Sequence, residues 1–217
     1  RQFYLKHQRL KKHLCLAATL LSLSIAHAQF DTNTPEWSAG TFSLGTRNTI
    51  SLFDEDNATG KGIGGQFRLQ LRKYLNSEWY FDYITSRDGD KTFRNDYHIG
   101  WSVMLYSKNN FAFDHMLQPY LIVGHCFDLS MVTAQNDKNN SVSRTSMATQ
   151  AGIGTHVNIT PRLDLSLSGQ YMVHFGKDIH ATEGPEGTII LEKQAYSKPD
   201  GHLLFTISFN YKFLRLW

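Results

Sequence analysis

Large apolar residues alternate with polar ones through most of this chain, most regularly over residues 201–217. There Leu203, Phe205, Ile207, Phe209, Tyr211 and Phe213 are interleaved with Thr206, Ser208, Asn210 and Lys212. Successive side chains of a strand point to opposite faces, so this spacing builds one greasy face and one polar face. Arg215 interrupts the greasy face once, and Trp217 resumes it. A long side chain so placed reaches a headgroup layer, so the break is read as a membrane boundary. The same period of two predicts eight strands, at Trp37–Ser51, Lys61–Tyr74, Ser77–Ser86, Phe93–Ser107, Met116–Phe127, Ser146–Ile159, Arg162–Phe175 and Gly201–Arg215. An even count suits a closed antiparallel barrel.

The intervening segments alternate in length. Leu75-Asn76 and Thr160-Pro161 read as tight turns and Lys108–His115 as a longer turn at the same end. Leu52–Gly60, Arg87–Thr92, Leu129–Thr145 and Gly176–Asp200 read as loops at the other end. Short inner turns and long outer loops are what a transmembrane barrel requires. Aromatic residues fit the same orientation: Trp37, Trp79 and Trp217 fall at inner strand ends, and Tyr97, Phe127, Phe175 and Phe205 at outer ends, as two interfacial girdles would. A secreted β-sandwich also has alternating strands, but it buries its apolar faces against each other and has no use for aromatics at two levels. The expected fold is therefore an all-β, eight-stranded, antiparallel transmembrane up-and-down barrel spanning residues 29–217.

Residues 1–28 read as a secretory signal. Arg1, Lys6, Arg9, Lys11 and Lys12 precede an apolar run from Leu14 to Ile25, and Ala26-His27-Ala28 supplies the small residues of a cleavage site. The run is about a dozen residues, short of the ~20 that span a bilayer as a helix. The leader carries five of the 22 basic residues and none of the 19 acidic ones, so the remainder is close to neutral. The pI of 8.8 thus gives no warrant for nucleic-acid binding. Cys15 leaves with the leader and Cys126 remains alone, so no internal disulfide is expected.

If the greasy stripes face lipid, Arg47, Gln66, Arg68, Gln70, Arg72, Tyr80, Asp82, His98, Gln150, His156, Asp164, Gln170, His174 and Lys212 face the lumen. An eight-stranded barrel is only wide enough to be filled by side chains, so these groups must satisfy one another. A turn at Leu75-Asn76 sets Arg72 opposite Tyr80 and Gln70 opposite Asp82, which predicts an Arg68–Asp82–Arg72 cluster acting as a plug. A turn at Thr160-Pro161 sets His156 opposite Ser166 and Asn158 opposite Asp164. The resulting His, Ser and Asp group lies inside a packed lumen, away from substrate, so no catalytic residue is assigned. His98, His125, His174 and His202 fall towards the outer strand ends, with His180 nearby, but no metal-binding motif spacing supports a site, and neither metal nor cofactor is expected. The run Gly60-Lys61-Gly62-Ile63-Gly64-Gly65 lacks the strand–turn–helix setting of a phosphate loop and reads as a twisted strand entry.

With the Ala-His-Ala leader, the alternating strands, the short turns and the closing Leu203–Phe213 stripe, the chain resembles the small outer-membrane β-barrel, or porin family, proteins of Gram-negative bacteria, Bacteroidota above all. Its plan is similar to the OmpA and OmpX barrels. The resemblance implies a location in the outer membrane among its lipids. It also implies recognition of the terminal strand, through Phe209, Tyr211, Phe213 and Trp217, by the barrel assembly machinery. It leaves three functions open: a non-enzymatic barrel whose loops bind an extracellular or outer-membrane protein partner or a surface ligand, a narrow channel, or a lipid A modifying enzyme. No His-x-Ser motif followed by a suitably placed Glu supports the last.

Overall fold

A computed structural model of the protein describes residues 39–53, 59–88, 91–106, 116–176, 179–193 and 200–217. The leader and Trp37 lie outside these residues. The strands are β1 (Thr41–Phe53), β2 (Thr59–Arg72), β3 (Leu75–Asp88), β4 (Thr92–Tyr106), β5 (Leu117–Ala134), β6 (Ser141–Asn158), β7 (Leu163–Phe175), β8 (Ile179–Glu183), β9 (Ile189–Lys193) and β10 (Asp200–Arg215). Eight of them close a barrel in the order β1-β10-β7-β6-β5-β4-β3-β2, and β8 and β9 form a separate two-stranded sheet. Every neighbouring barrel pair is antiparallel. Closure leaves no edge, the condition for a sheet to cross hydrocarbon with its backbone hydrogen bonds satisfied.

The two faces sort as the alternation predicts. On β10, Phe205, Ile207, Phe209, Tyr211 and Phe213 are exposed, while Thr206, Ser208, Asn210 and Lys212 are buried. Among the described residues no helix is long and apolar enough to cross a membrane. On β5, Tyr120, Ile122, Cys126, Asp128 and Ser130 point inward, whereas Leu121, Val123, Phe127, Leu129 and Met131 point outward.

Three boundaries differ from the sequence reading. The tight turn between β2 and β3 falls at Lys73-Tyr74 instead of Leu75-Asn76, because Asn76 pairs with Gln70 inside the ladder. β5 and β6 continue to Ala134 and from Ser141, so most of the segment expected as the Leu129–Thr145 loop is a hairpin extension, paired from Leu129↔Thr145 to Thr133↔Ser141. The expected loop Gly176–Asp200 contains the β8–β9 hairpin. In the first case the asparagine of Leu75-Asn76 resembled a turn residue. In the other two, polar composition concealed the strands, although Leu129 and Met131 continue the outward apolar stripe of β5.

The lipid-facing assignment of β10 predicts that Ile207→Lys, at mid-strand, destabilises the barrel by about 2–4 kcal/mol, while Leu216→Lys beyond the strand end costs about 0–1 kcal/mol. Urea titration of the protein folded into lipid vesicles reads both.

Candidate functional site

The barrel interior holds a continuous polar network built from two arginines. Arg47 on β1 donates from Nε to Asp82 Oδ1 at 2.9 Å and from Nη1 to Glu78 Oε1 at 2.9 Å and Gln66 Oε1 at 2.9 Å. Arg68 on β2 donates from the single nitrogen Nη2 to both oxygens of Asp164 at 2.7 and 2.8 Å, and from Nη1 to Ser166 Oγ at 3.2 Å. Lys212 Nζ approaches the other side of Asp164 at 3.7 Å. The halves are joined by Gln66, which donates to Asn210 Oδ1, and by Asn210, which donates to Asp164 Oδ1 at 3.1 Å. Three basic side chains thus face three carboxylates, all of them buried. Charges held out of water need such partners, since an unpaired one costs several kcal/mol.

Two glycines make this network geometrically possible. Arg47, Gly64 and Asp82 share one row across β1, β2 and β3, so Arg47 reaches its partner over a residue with no side chain. A Cβ at Gly64 would collide with the Phe81 carbonyl and with Asp82. Gln66 reaches Asn210 over Gly45 in the same way, and a Cβ there would meet the Asn210 side chain.

Arg47, Arg68, Gln70, Tyr80 and Asp82 of the expected lumen set are all buried. Arg72 is not: it lies exposed beside the turn, paired with Leu75. With the earlier turn, Tyr80 faces Gln66 instead of Arg72, and Asp82 faces Gly64 instead of Gln70, a slide of six residues. The expected Arg68–Asp82–Arg72 cluster is therefore replaced by Arg47–Asp82 with Glu78, and by Arg68–Asp164. Gln70 donates to the Arg72 carbonyl, and Tyr80 donates to Gln150 Oε1 at 2.8 Å while its ring lies under the Arg47 guanidinium. Glu78 was missed because a turn at Leu75-Asn76 put it at the strand mouth. The parity of Trp79, Phe81 and Tyr83 already placed it on the inner face.

The turn at Thr160-Pro161 does set Asn158 opposite Asp164 and His156 opposite Ser166. His156 Nδ1 hydrogen-bonds Ser166 Oγ, and its Nε2 hydrogen-bonds the Tyr106 hydroxyl at 2.9 Å. Arg68 and Lys212 engage Asp164, which lies 3.8 Å from His156. The carboxylate is thus committed to cations instead of orienting an imidazole, and all three residues are sealed from solvent.

Farther along the lumen, Tyr80, Ile84, Cys126, Ala148, Met172 and Leu204 form an apolar layer. Two residues beyond Met172, Leu204 and Cys126 on their strands lie His174, His202 and Asp128. These join His98 of β4, whose ring centroid is 5.9 Å from each of the other two histidines. His125, expected with them, is on the outer face against Trp101, since it has the opposite parity on β5 from Asp128. His180 lies in β8. Asp128 was missed because the fifth strand was ended at Phe127; the alternation of Phe127, Leu129 and Met131 would have carried it further.

On the outer surface Trp79 stacks on Phe67, 6.0 Å between centroids, and neighbours Trp101. Tyr97 packs on Tyr83, and Phe175 and Trp217 are exposed. Phe209, Tyr211 and Phe213 line the outer face of β10. At the end of the barrel opposite the β2–β3 turn, the β5–β6 and β8–β9 hairpins are tied together. Asn136 Nδ2 donates to the Gly187 carbonyl at 3.0 Å and Asn140 Nδ2 to the Ile189 carbonyl at 2.6 Å. Lys91, in the β3–β4 turn, pairs with Glu183 at 3.3 Å.

This closed barrel, greasy outside and charge-paired inside, defines an outer-membrane protein. Residues 15–213 match the outer membrane protein beta-barrel domain, and the chain belongs to that family. Among solved structures it is similar to Neisserial surface protein A, with 15% identity, TM-score 0.56, 79% of this chain and 97% of that chain covered. It is similar to a major outer membrane protein of Thermus thermophilus, with 10% identity, TM-score 0.56 and coverages of 79% and 99%. OprG of Pseudomonas aeruginosa gives 15% identity, TM-score 0.54 and coverages of 81% and 97%. At these identities the likeness is one of fold. No curated protein sequence matches the chain.

Substituting Arg68 by Met takes from Asp164 its closest cation and is expected to destabilise the barrel by about 3–5 kcal/mol, and the triple change Arg68→Met, Asp164→Leu, Lys212→Met, which removes the whole charge group, by clearly less. Arg72→Ala stays within about 0.5 kcal/mol. Gly64→Val, which blocks the path of Arg47, destabilises by about 1–3 kcal/mol or more. Guanidinium titrations followed by tryptophan fluorescence measure all four variants.

Proposed function

We infer that the protein is a non-enzymatic outer-membrane scaffold: its lumen is plugged by the Arg47 and Arg68 networks, and its external hairpins bind a partner or surface ligand. The observation that carries this reading is the structured outer rim. Loops on a rigid barrel are where binding residues concentrate. Here three connections are cross-tied through Asn136, Asn140 and Lys91 into one platform. The plug is supported by the balanced, buried set Arg47, Arg68, Lys212, Glu78, Asp82 and Asp164, and by the apolar layer beyond it. A non-enzymatic role is supported by the burial of the His156, Ser166 and Asp164 group and by the commitment of its carboxylate to Arg68.

In this reading Trp37, Trp79, Tyr97, Phe175 and Trp217 seat the barrel at the lipid interfaces. The terminal strand, with Phe209, Tyr211, Phe213 and Trp217, engages the barrel assembly machinery after a leader over residues 1–28 is removed. The second reading, a narrow channel for small solutes, requires the arginine networks to leave a continuous gap.

Planar-bilayer recording separates the two: the wild type is expected to be silent and Asp82→Ala, which strips Arg47 of a partner, to leak. Steady wild-type conductance overturns the plug. For the rim, vesicles carrying the wild type and a variant with residues 179–193 replaced by a short Gly-Ser turn are compared for binding to arrays of purified surface glycans and matrix proteins. Binding that disappears with the hairpin supports the platform; binding that persists without it, or none by the wild type, overturns it.

A further inference from the structure

The outer half of the lumen contains three histidines whose ring nitrogens the protein leaves unsatisfied. His98, His174 and His202 are each at most 3% exposed. One ring nitrogen from each lies within 4.8 Å of the others. Both nitrogens of His98, both of His202 and Nε2 of His174 have no hydrogen-bond partner. Five orphaned nitrogens in one buried cluster are costly, because a polar group removed from water and left unpaired loses the full hydration it had.

The neighbouring carboxylate sharpens the reading. Asp128 accepts hydrogen bonds from Ser130 at 3.0 Å and Ser146 at 3.1 Å, both on Oδ2, and Oδ1 has none. In contrast to Asp82, Asp96 and Asp164, its nearest ionisable partners are imidazoles, with Arg94 adding its charge through the Ser130 side of the carboxylate. Oδ2 lies 3.3 Å from His174 Nδ1 and Oδ1 lies 3.4 Å from His98 Nε2. Ser146 Oγ, which is hydrogen-bonded to Asp128, also lies 3.3 Å from His174 Nδ1, so the serine and the carboxylate together hold that nitrogen as the N–H and leave Nε2 as a bare lone pair. This is the outer arrangement that metal-binding histidines use.

We propose that His98, His174 and His202 form a binding site for a divalent transition metal of the zinc class, with Asp128 orienting His174 and balancing the charge of the ion. Three imidazoles and one further oxygen ligand make a tetrahedral set that suits Zn²⁺. Metal–nitrogen bonds of about 2.0–2.1 Å place ligand nitrogens about 3.4 Å apart, so the three rings close in by about an ångström or less on binding. The site joins β4, β7 and β10 across the lumen. Tyr80, Met172 and Leu204 separate it from the Arg47 and Arg68 networks, and on its far side Arg94 pairs with Asp96 at 2.9 Å and lies over the Phe53 ring, which packs edge-on against His202.

The test uses the protein purified in detergent from outer membranes, stripped with EDTA and given ZnCl₂ or CoCl₂. The wild type is expected to retain one zinc per barrel after desalting and to give the intense visible bands of four-coordinate cobalt. His174→Ala and His202→Ala are expected to lose stoichiometric uptake. Asp128→Asn weakens it by about 10–100-fold. His125→Ala, on the outer face, binds as the wild type does. Heat-modifiable migration on gels reports whether each variant is folded. Should a histidine variant fail to fold, X-ray absorption on the zinc-loaded wild type decides: three imidazole ligands support the site, and two or fewer overturn it. Wild-type uptake well below one per barrel, or folded histidine variants that bind like the wild type, overturns it as well and leaves a trapped water as the occupant of the cluster.

Discussion

The closure of β1 on β10 is the constraint from which the rest of the structure follows. Hydrocarbon offers backbone N–H and C=O groups no partner, so a sheet survives there only if its first and last strands pair. Thirteen residues of β1, Thr41 to Phe53, do so with β10 from Arg215 back to His202. Eight strands closed this way enclose a space that side chains fill. Once the greasy residues are turned to the lipid, the residues that fill it are the polar ones, and they must find partners within a few ångströms of where the register leaves them.

The lumen meets that demand in layers. Near the tight turns, three basic side chains and three carboxylates are joined through Gln66 and Asn210, with Gly45 and Gly64 keeping the crossing paths open. An apolar layer around Met172 and Leu204 follows. Beyond it lies the cluster of His98, His174, His202 and Asp128, where ring nitrogens stand unpaired. The contrast between the two polar layers is informative. The first is dense with side-chain hydrogen bonds, as a structural network should be, whereas the second is incomplete in a way that a ligand would complete. Above both, the cross-tied hairpins make an ordered rim out of segments whose composition resembles loop.

Period-two alternation alone was sufficient for the fold class, the strand count of the barrel and the faces of the clearly alternating strands, because lipid and lumen impose opposite polarities on adjacent positions; the fifth strand, with Leu121, Ile122 and Val123 consecutive, had no clear phase. The inward set from Arg47 to Lys212 followed from parity, which is insensitive to small errors at a strand end. Arg72 failed because it sits at such an end, where position and not parity decides whether a side chain enters the lumen. The β8–β9 hairpin was not legible because its two short strands sit in a polar segment, whereas the outer part of β5 was marked by Leu129 and Met131, which continue the stripe of Phe127.

The sequence by itself therefore determined the architecture and the inside–outside sorting, both consequences of solvent polarity acting one residue at a time. Only the tertiary structure decided who meets whom. A turn at Lys73-Tyr74 instead of two residues later, with an irregularity between Gln70 and Arg72, slides the β2–β3 pairing by six positions, and with it the partner of every buried charge on those strands. Contacts that skip a strand, such as Arg47 over Gly64 to Asp82, or that cross the lumen, as His98 to His174 and His202, depend on the register of several pairings at once. No local pattern records that sum, and it is set when the barrel closes.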